Sequence, residues 1–416
     1  MQLSTILYNI SLRAYRLGIG IASSRNSKAK QWIEGRKDVF EKIEKALKED
    51  EKRIWVHASS LGEFEQGRPL IEKIKAEKPD IKIVLTFFSP SGFEIRKNYP
   101  QADYVFYLPL DTKSNAERFV SLVHPGIAIF IKYDFWYHYF NELNIRNIPI
   151  ILISAVFRHG QIYFKPLGVL HRKMLSMLRH IFVQDEISEG LLKSLHLEKN
   201  VSKAPDTRID RVADIAAKTQ PIPIIEKFLG DTKALIGGSL YDAENKYMRR
   251  AFDKGLIKSK IIIAPHKVDK VSVDSILELW KNEAVLFTEA SVENVADKKV
   301  LIVNTIGLLS SLYQYGNIAI IGGGFGKGIH NTLEPATFGL PVLFGPKYQK
   351  FNEAAVLIAI GGAFCFSSGE EFISILNRLN DSAAIAKAGE AAKNFIIENT
   401  GGTEKIYIWM NEEGLL

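Results

Sequence analysis

Residues 317–344 read NIAIIGGGFGKGIHNTLEPATFGLPVLF, and this stretch decides the fold. The apolar run Asn317–Ile321 predicts a buried strand, glycines follow it, and a short helix leads into a second apolar strand. Glycines let a backbone approach a ligand closely. The N-terminus of the helix offers free N–H groups and a positive dipole end to an anion. Glu334, in its first turn, can accept hydrogen bonds from sugar hydroxyls. The stretch therefore predicts an α/β unit that binds a nucleotide joined to a sugar.

The same alternation of apolar runs and amphipathic helical segments begins at residue 53, and it predicts βα units with parallel sheets. Residues 200–230 are irregular and rich in Pro, Asp and Thr, so we place a domain boundary there. Two doubly wound domains facing each other would bind ligands at the C-terminal ends of both sheets. Strands are predicted at 53–58, 82–88, 104–108, 127–132, 150–156, 180–184, 234–237, 260–264, 284–287, 300–304, 317–321, 341–344 and 363–366, and helices include 64–77, 135–145, 382–397 and 403–414.

The length of 416 residues exceeds one ordinary core and favours two domains. A hydrophobic content of 46% and a charged content of 24% are typical of a folded globular protein. Cys365 is the single cysteine, so no disulfide within the chain is possible, and a reducing compartment is favoured. The predicted division is an N-terminal segment (1–35), two Rossmann-like domains (36–210 and 211–400) and a closing helix (401–416).

The net charge of +7 lies almost wholly in the N-terminal segment. Residues 1–37 hold seven basic residues and one acid, a net of +6. Nucleic-acid binding requires such charge across a folded face, together with aromatics or a known motif. The sequence offers neither, so we expect no nucleic-acid partner.

Residues 2–21 predict an amphipathic helix, with a polar stripe opposite an apolar one. Two arginines near its middle would each cost roughly 2.5–3.5 kcal/mol in a membrane-spanning helix. A helix lying in the membrane interface avoids that cost, and nearby basic groups gain about 1 kcal/mol each from anionic lipid. We therefore expect a membrane-surface helix; the alternative is a helix packed on its own domain. The polar stripe is Gln2, Thr5, Asn9, Arg13, Arg16 and Gly20, and the apolar stripe is Leu3, Ile6, Leu7, Ile10, Leu17 and Ile21.

Glu63 ends the sequence HASSLGE (57–63), where the first predicted strand turns into a helix. A carboxylate there can serve as a general base for a hydroxyl within hydrogen-bond reach. The simpler interpretation is a first-turn glutamate that complements the helix dipole. On the residues alone, the neighbouring Glu65 stays open as an alternative base.

Other polar groups follow later strands of the first domain. Asp134, in KYDFWY (132–137), is placed to contact a sugar while the aromatics stack, or alternatively to cap a helix. Ser154 and Arg158 close the fifth strand and enter a basic loop. Such a loop suits a phosphorylated acceptor, although exposed charges are usually only solvated.

Two turns of the second domain carry similar groups. The turns GGS (237–239) and APHK (264–267) each follow a predicted strand and precede a helix. His266 or Lys267 can balance charge on a leaving phosphate, because cations aimed at developing charge stabilise a transition state. The alternative for His266 is a plain hydrogen-bonding group at a strand end.

Several common motifs are missing from the sequence. Gly322–Gly328 is not a P-loop, because Gly328 follows Lys327 where Ser or Thr is required, and the dinucleotide fingerprint is also absent. Nine histidines and one cysteine form no His-x-x-x-His or Cys-x-x-Cys motif. We therefore expect neither a built-in metal site nor a cofactor.

Four blocks in one order resemble the bacterial Kdo (3-deoxy-D-manno-octulosonic acid) transferases of lipopolysaccharide assembly, which have the GT-B glycosyltransferase fold. The resemblance runs from the N-terminal helix to about residue 400. The blocks are SLGE (60–63), DTRIDRV (206–212), APH (264–266) and HNTLEPA (330–336).

The resemblance implies an inverting, metal-independent transfer of Kdo from CMP-Kdo to a tetraacylated lipid A precursor, with Glu63 as the base. It also implies that the N-terminal helix attaches the protein to the cytoplasmic face of the bacterial inner membrane. The donor-binding residues expected on this basis are Ser239, Pro265, His266, Lys267, Gly323, Gly324, His330, Asn331 and Glu334, and the acceptor or sugar contacts are Ser60, Gly62, Asp134, Ser154, Arg158 and Arg208.

The chain departs from the family pattern at two places. Residues 132–136 read KYDFW where the family has Glu-Thr-Glu-Leu-Trp, so Lys132 replaces the first acid and Asp134 the second. Pro205 replaces the usual glycine before Asp-Thr-Arg. Two alternative functions stay open: another GT-B enzyme with a UDP-sugar donor, and a non-catalytic peripheral membrane protein that binds nucleotide sugars.

Overall fold

The computed structural model describes residues 3–416. The chain forms two compact units, Met1–Asp210 with Gly401–Leu416, and Arg211–Thr400. Each unit contains one parallel seven-stranded sheet with helices around it. The chain passes from the first unit to the second between Asp210 and Arg211, within a continuous helix.

The first unit has the strand order β3-β2-β1-β4-β5-β6-β7. Its central strands are apolar along their whole length and every residue in β1, β4 and β5 is buried, as expected for a parallel sheet covered on both faces. The strands are β1 (Arg53–Ala58), β2 (Lys82–Phe87), β3 (Tyr104–Tyr107), β4 (Ile127–Ile131), β5 (Ile150–Ala155), β6 (His180–Val183) and β7 (Val201–Lys203).

Eleven helices contain residues of the first unit, and two apolar clusters fill the two faces of its sheet. The helices are α1 (Leu3–Ala22), α2 (Ser27–Glu34), α3 (Val39–Ala46), α4 (Leu61–Glu77), α5 (Pro90–Arg96), α6 (Lys113–Val123), α7 (Tyr137–Ile145), α8 (Val169–Ser176), α9 (Glu186–Lys193), α10 (Thr207–Ala217) and α20 (Gly402–Glu412).

The second unit has the strand order β10-β11-β9-β8-β12-β13-β14. The strands are β8 (Ala234–Leu240), β9 (Lys260–Pro265), β10 (Ala284–Leu286), β11 (Val300–Ile302), β12 (Gly316–Ile321), β13 (Val342–Phe344) and β14 (Ala363–Cys365). The helices are α11 (Pro223–Leu229), α12 (Asp242–Asp253), α13 (Lys270–Trp280), α14 (Val292–Val295), α15 (Leu309–Leu312), α16 (Leu333–Thr337), α17 (Asn352–Ala359), α18 (Gly369–Arg378) and α19 (Ser382–Glu398).

Every strand predicted from an apolar run is present, with ends that coincide or shift by up to three residues. The prediction that residues 200–230 are irregular is wrong: they contain β7, α10 and α11. The strand β7 was not predicted, because three residues are too few to show a periodic pattern. The closing helix α20 packs against α4 of the first unit, where Lys73 pairs with Glu404 at 3.1 Å.

The N-terminal helix α1 packs on the first unit through a face that includes Thr5, Tyr8 and Leu12, instead of its apolar stripe. Thr5 and Leu12 are buried, and the Tyr8 hydroxyl donates to the buried carboxylate of Asp111 at 2.5 Å. Asn9 contacts the His138 ring nitrogen at 2.6 Å. The opposite, apolar stripe is exposed: Leu3, Ile6, Leu7, Ile10, Leu17 and Ile21 are 72, 37, 57, 54, 67 and 71% exposed. Within residues 3–416, no helix is both long enough and apolar enough to cross a membrane.

Candidate active site

The residues singled out in the first unit lie where the strand order of its sheet reverses. The chain builds outward from β1 through β2 to β3 on one side, and through β4 to β7 on the other. Open α/β sheets bind ligands at the carboxyl ends of the strands beside such a reversal. Glu63 lies in the first turn of α4, directly after β1, and Lys132 directly follows β4.

Glu63 is partly buried, and the hydroxyl of Ser60 donates a hydrogen bond to its Oε2 atom. Burial is the main cause that raises the pKa of Glu63, and the negative charge of Asp134 raises it further. The positive charge of Lys132 acts in the opposite direction. A carboxylate with a raised pKa is a stronger base than an ordinary surface glutamate, and proton-transfer catalysis requires such a group.

A hydrogen-bonded network ties the loop after β1 to the loop after β4. Ser59 donates to Asp134 Oδ1 at 2.7 Å, and the second carboxylate oxygen of Asp134 lies 3.0 Å from the buried His57 Nε2. The Trp136 Nε1 atom lies 3.1 Å from the same ring nitrogen, and His57 Nδ1 lies 2.8 Å from the Thr86 hydroxyl oxygen. The network fixes Asp134 close enough to Glu63 for their charges to interact.

The other predicted acceptor contacts are spread over this edge. Gly62 is exposed in the same turn as Glu63, and Arg158 is exposed after β5. Ser154 is 1% exposed, and its hydroxyl lies 3.4 Å from that of Thr207, so its side chain is enclosed by the protein.

Arg208 is oriented by the carboxylate two residues before it. Its guanidinium contacts Asp206 at 2.5 Å, and the Arg208 charge lowers the pKa of that buried carboxyl against the effect of burial. Glu63, Ser60 and Asp134 are therefore brought together, whereas Ser154 and Arg208 have partners of their own.

At the carboxyl edge of the sheet in the second unit, main-chain segments lie very close to one another. The order of its sheet reverses between β8 and β12, and the glycine loop follows β12. A Cβ atom on Gly322 would lie 2.0 Å from the carbonyl oxygen of Ser239, and one on Gly324 would lie 2.5 Å from Gly345. Gly323 has φ of +92°, which favours glycine. Only glycine fits at these three positions of the loop as it is folded.

Glu244 holds the glycine loop in place. Its Oε1 atom accepts from the backbone N–H of Gly323 at 2.9 Å, and its Oε2 atom accepts from that of Tyr241 at 3.2 Å. Glu244 is buried, and burial raises its pKa. The sequence analysis did not assign this role, although a glutamate three residues after the helix N-cap is the available signal.

Three aromatic rings stand beside the glycine loop. The Tyr241 ring stacks on His266 with centroids 4.5 Å apart, and His266 lies 4.7 Å from His330. Burial is the main cause that lowers the pKa of both histidines, which keeps the rings uncharged near neutral pH. A cavity of about 380 Å³ adjoins them, lined in part by Pro265, His266 and Lys267. Tyr241, absent from the predicted site, offers a flat surface for a nucleobase.

Asn331 and Glu334 form a second hydrogen-bonded pair at this edge. The Asn331 side chain donates to Glu334 Oε1 at 3.0 Å, and its carbonyl oxygen accepts from the Leu333 N–H at 3.0 Å. Ser310 donates to Glu334 Oε2 at 3.2 Å. The helix α16, which contains Glu334 in its first turn, has only five residues. Throughout residues 3–416, no three His, Cys, Asp or Glu side chains are grouped to hold a metal ion.

Comparison with known proteins finds a family that is similar to most of the first unit. Residues 34–211 match the family described as 3-deoxy-D-manno-octulosonic-acid transferase (kdotransferase). The chain is 25% identical over 368 residues to the 3-deoxy-D-manno-octulosonic acid transferase of Haemophilus influenzae, covering 85% of each chain. It is 28% identical over 346 residues to the transferase of that name from Aquifex aeolicus, covering 80% of this chain and 88% of the relative.

A solved structure supports the fold assignment. A putative UDP-N-acetylglucosamine 2-epimerase from Listeria monocytogenes superposes with a TM-score of 0.60 at 12% identity, covering 88% of this chain and 97% of that one. Identity this low is informative about the fold alone. With the two parallel sheets, it confirms the predicted two-domain GT-B fold.

Proposed function

We propose that the chain is a glycosyltransferase of the Kdo transferase kind, which transfers Kdo from CMP-Kdo to a tetraacylated lipid A precursor; the family match and the named relatives support this. The observation that carries the proposal is the position of Glu63. It lies inside the segment matched by the family, in the first helical turn after β1, partly buried and hydrogen-bonded by Ser60.

In the proposed reaction, Glu63 removes the proton from a sugar hydroxyl of the acceptor. The resulting oxygen attacks the anomeric carbon of Kdo from the face opposite CMP, the bond to the phosphate oxygen breaks, and CMP leaves. A direct inversion needs a base and no enzyme nucleophile, so one carboxylate suffices. The hydrogen bond from Ser60 holds that carboxylate in one orientation.

The second unit is the proposed donor site. The glycine loop brings backbone N–H groups within reach of a phosphate. The Tyr241 and His266 rings offer a surface for the cytosine base. Lys267 lines the same cavity, where its charge can balance that of the departing phosphate.

The exposed apolar stripe of α1 supports attachment to the membrane that contains the acceptor. The docked face uses Thr5, Tyr8 and Asn9, which leaves the aliphatic side chains of the other face available to lipid. Such an amphipathic helix binds in the plane of the interface. We propose the cytoplasmic face of the bacterial inner membrane as its location.

Replacing Leu7 and Ile10 together with serine tests the membrane attachment. Each buried aliphatic side chain contributes about 1.5–3 kcal/mol, so co-sedimentation with anionic liposomes is expected to fall at least tenfold. Ile95→Ser, at an exposed position of α5, is the matched control. Equal sedimentation of the double variant and the control would refute attachment through α1.

A transfer assay tests the reaction itself. Purified protein is incubated with CMP-Kdo, generated in situ, and a tetraacylated lipid A precursor in the presence of EDTA, and the lipid products are separated by thin-layer chromatography. A slower-migrating product is expected from the wild type and not from Glu63→Gln. No product, together with tight CMP binding by calorimetry, would reject the acceptor. No product and no CMP binding, or product with a UDP-sugar instead, would reject the donor.

A further inference from the structure

Lys132 and Arg158 are cations at the same edge of the first sheet. Lys132 directly follows β4, and Arg158 follows β5 by three residues. These strands are neighbours, with Ile131 paired to Ile153. Residues that leave adjacent parallel strands at their carboxyl ends emerge close together.

The backbone holds Lys132 in an unusual conformation. Its φ is +69°, in the left-handed region, and its N–H donates to the Ile153 carbonyl at 2.9 Å. A non-glycine residue in this region costs of the order of 1 kcal/mol or more, and such strain is concentrated at functional sites. The bond to Ile153 holds the start of this loop against the neighbouring strand.

Neither cation forms a close ion pair with a carboxylate of the described residues, although the Lys132 charge acts on Glu63. In the part of the chain that the structure describes, no Asp or Glu oxygen lies within 4.0 Å of the Lys132 ammonium or the Arg158 guanidinium. The Lys132 Nζ atom lies 5.6 Å from the centre of the Tyr133 ring. Burial raises the pKa of Tyr133, the Arg158 charge lowers it, and the charges of Glu63 and Asp185 raise it, so all three charges act on this tyrosine.

We propose that Lys132 and Arg158 form an anion site beside Glu63, which binds a carboxylate or phosphate group of a substrate. The proposal rests on the proposed transferase function and makes Lys132, which departs from the family pattern that the sequence resembles, a specificity-determining residue of this chain. Two substrate groups have the required chemistry: the carboxylate of Kdo on the donor and a phosphate on the acceptor. Charge-assisted hydrogen bonds from Lys and Arg suit both.

Steady-state kinetics distinguish the two sources. Lys132→Met and Arg158→Met remove each charge and keep the length of the side chain. Each is expected to raise the KM of one substrate about tenfold, the size of one lost charged hydrogen bond. A higher KM for CMP-Kdo identifies the Kdo carboxylate. A higher KM for the bisphosphorylated acceptor, with no change for a monophosphorylated one, identifies the phosphate.

Two further variants provide the controls. Lys132→Arg keeps the charge and is expected to stay within twofold of wild type. Lys113→Met removes an 80% exposed lysine of the same unit and is expected to change neither KM. Unchanged KM values for both substrates in both Met variants would overturn the proposal. So would a change confined to the pH profile, because Lys132 would then act only on the charge of Glu63.

A binding experiment separates this proposal from the transferase assignment. Free Kdo and inorganic phosphate are titrated into the full chain by calorimetry, with wild type, Lys132→Met and Lys113→Met compared. About tenfold weaker binding of either anion to Lys132→Met supports the anion site even if the wild type transfers no Kdo. Equal affinities for both anions overturn the anion site even if Kdo transfer is intact.

Discussion

The carboxyl edges of the two sheets share a topology but are built from different groups. The first edge is formed by charged side chains, with Glu63 and Asp134 near Lys132. The second is formed by backbone, with Gly322 and Gly324 packed against other main-chain atoms. A group that moves a proton must be a titratable side chain, whereas a phosphate can be bound by N–H groups alone. The contrast suggests that the first edge performs the chemistry and the second binds the leaving nucleotide.

The strongest test of this contrast is Glu63→Gln. The amide keeps the size of the side chain and can still accept from Ser60, but it cannot take up a proton. Loss of a general base costs about 10²–10⁴-fold in rate, and kcat for Kdo transfer is expected to fall by that factor while CMP affinity is unchanged.

Glu65→Gln is the matched control on the same helix. Glu65 pairs with Arg96 at 2.7 Å, and its replacement is expected to leave kcat within a few-fold of wild type. Normal turnover by Glu63→Gln, or an equal loss in both variants, would contradict the role given to the first edge.

The second edge is tested by Gly322→Ala. The added methyl group would lie 2.0 Å from the Ser239 carbonyl oxygen, so the strand end and the loop must separate. Overpacking of this kind costs about 1–3 kcal/mol, and CMP affinity by calorimetry is expected to fall roughly tenfold, with a lower Tm. In Gly326→Ala, the nearest atom is 3.5 Å from the new methyl group, so wild-type affinity is expected. Equal affinity of both variants would show that close packing at the loop does not determine nucleotide binding.

The variant Glu334→Gln tests whether Glu334, in the first turn of α16, has the same role at the second edge as Glu63 has at the first. Asn331 and Ser310 donate to its two oxygens, and the neutral amide weakens both bonds. We expect the KM for CMP-Kdo to rise about tenfold with kcat nearly unchanged, the pattern of a lost binding contact. Glu353→Gln, in the first turn of α17, is the control. A loss in kcat as large as that of Glu63→Gln would remove the distinction between the edges.

The sequence predicted the parts of this arrangement that rest on local patterns. Long apolar runs identified thirteen strands, and the strand–turn–helix context identified Glu63 as a candidate base. Tyr241 and Glu244 were not assigned to the site, because an aromatic at an N-cap and a glutamate at the third helical position also occur in ordinary helix starts. The docked face of α1 was not predicted either. It depends on the bond between Tyr8 and Asp111, which are 103 residues apart, and no local period records such a pairing.

The smallest expected effect concerns the charges around the proposed base. Burial and then the negative charge of Asp134 raise the pKa of Glu63, and the base acts only when it is deprotonated. Activity is therefore expected to fall as the pH drops through this raised pKa. Asp134→Asn removes the repulsive charge, while Ser59 can still donate to the amide oxygen. The acidic limb of kcat/KM should move to lower pH, with a change of a few-fold at most near neutrality.

Asp103→Asn is the control for that shift, because Asp103 pairs with Lys75 at 3.0 Å at the amino ends of β2 and β3, on the opposite edge of the same sheet. Its pH profile should match wild type. An acidic limb that stays in place, or moves to higher pH, in Asp134→Asn would mean that Asp134 does not raise the pKa of the base. The charged character of the first edge would then serve substrate binding, and burial alone would account for the basicity of Glu63.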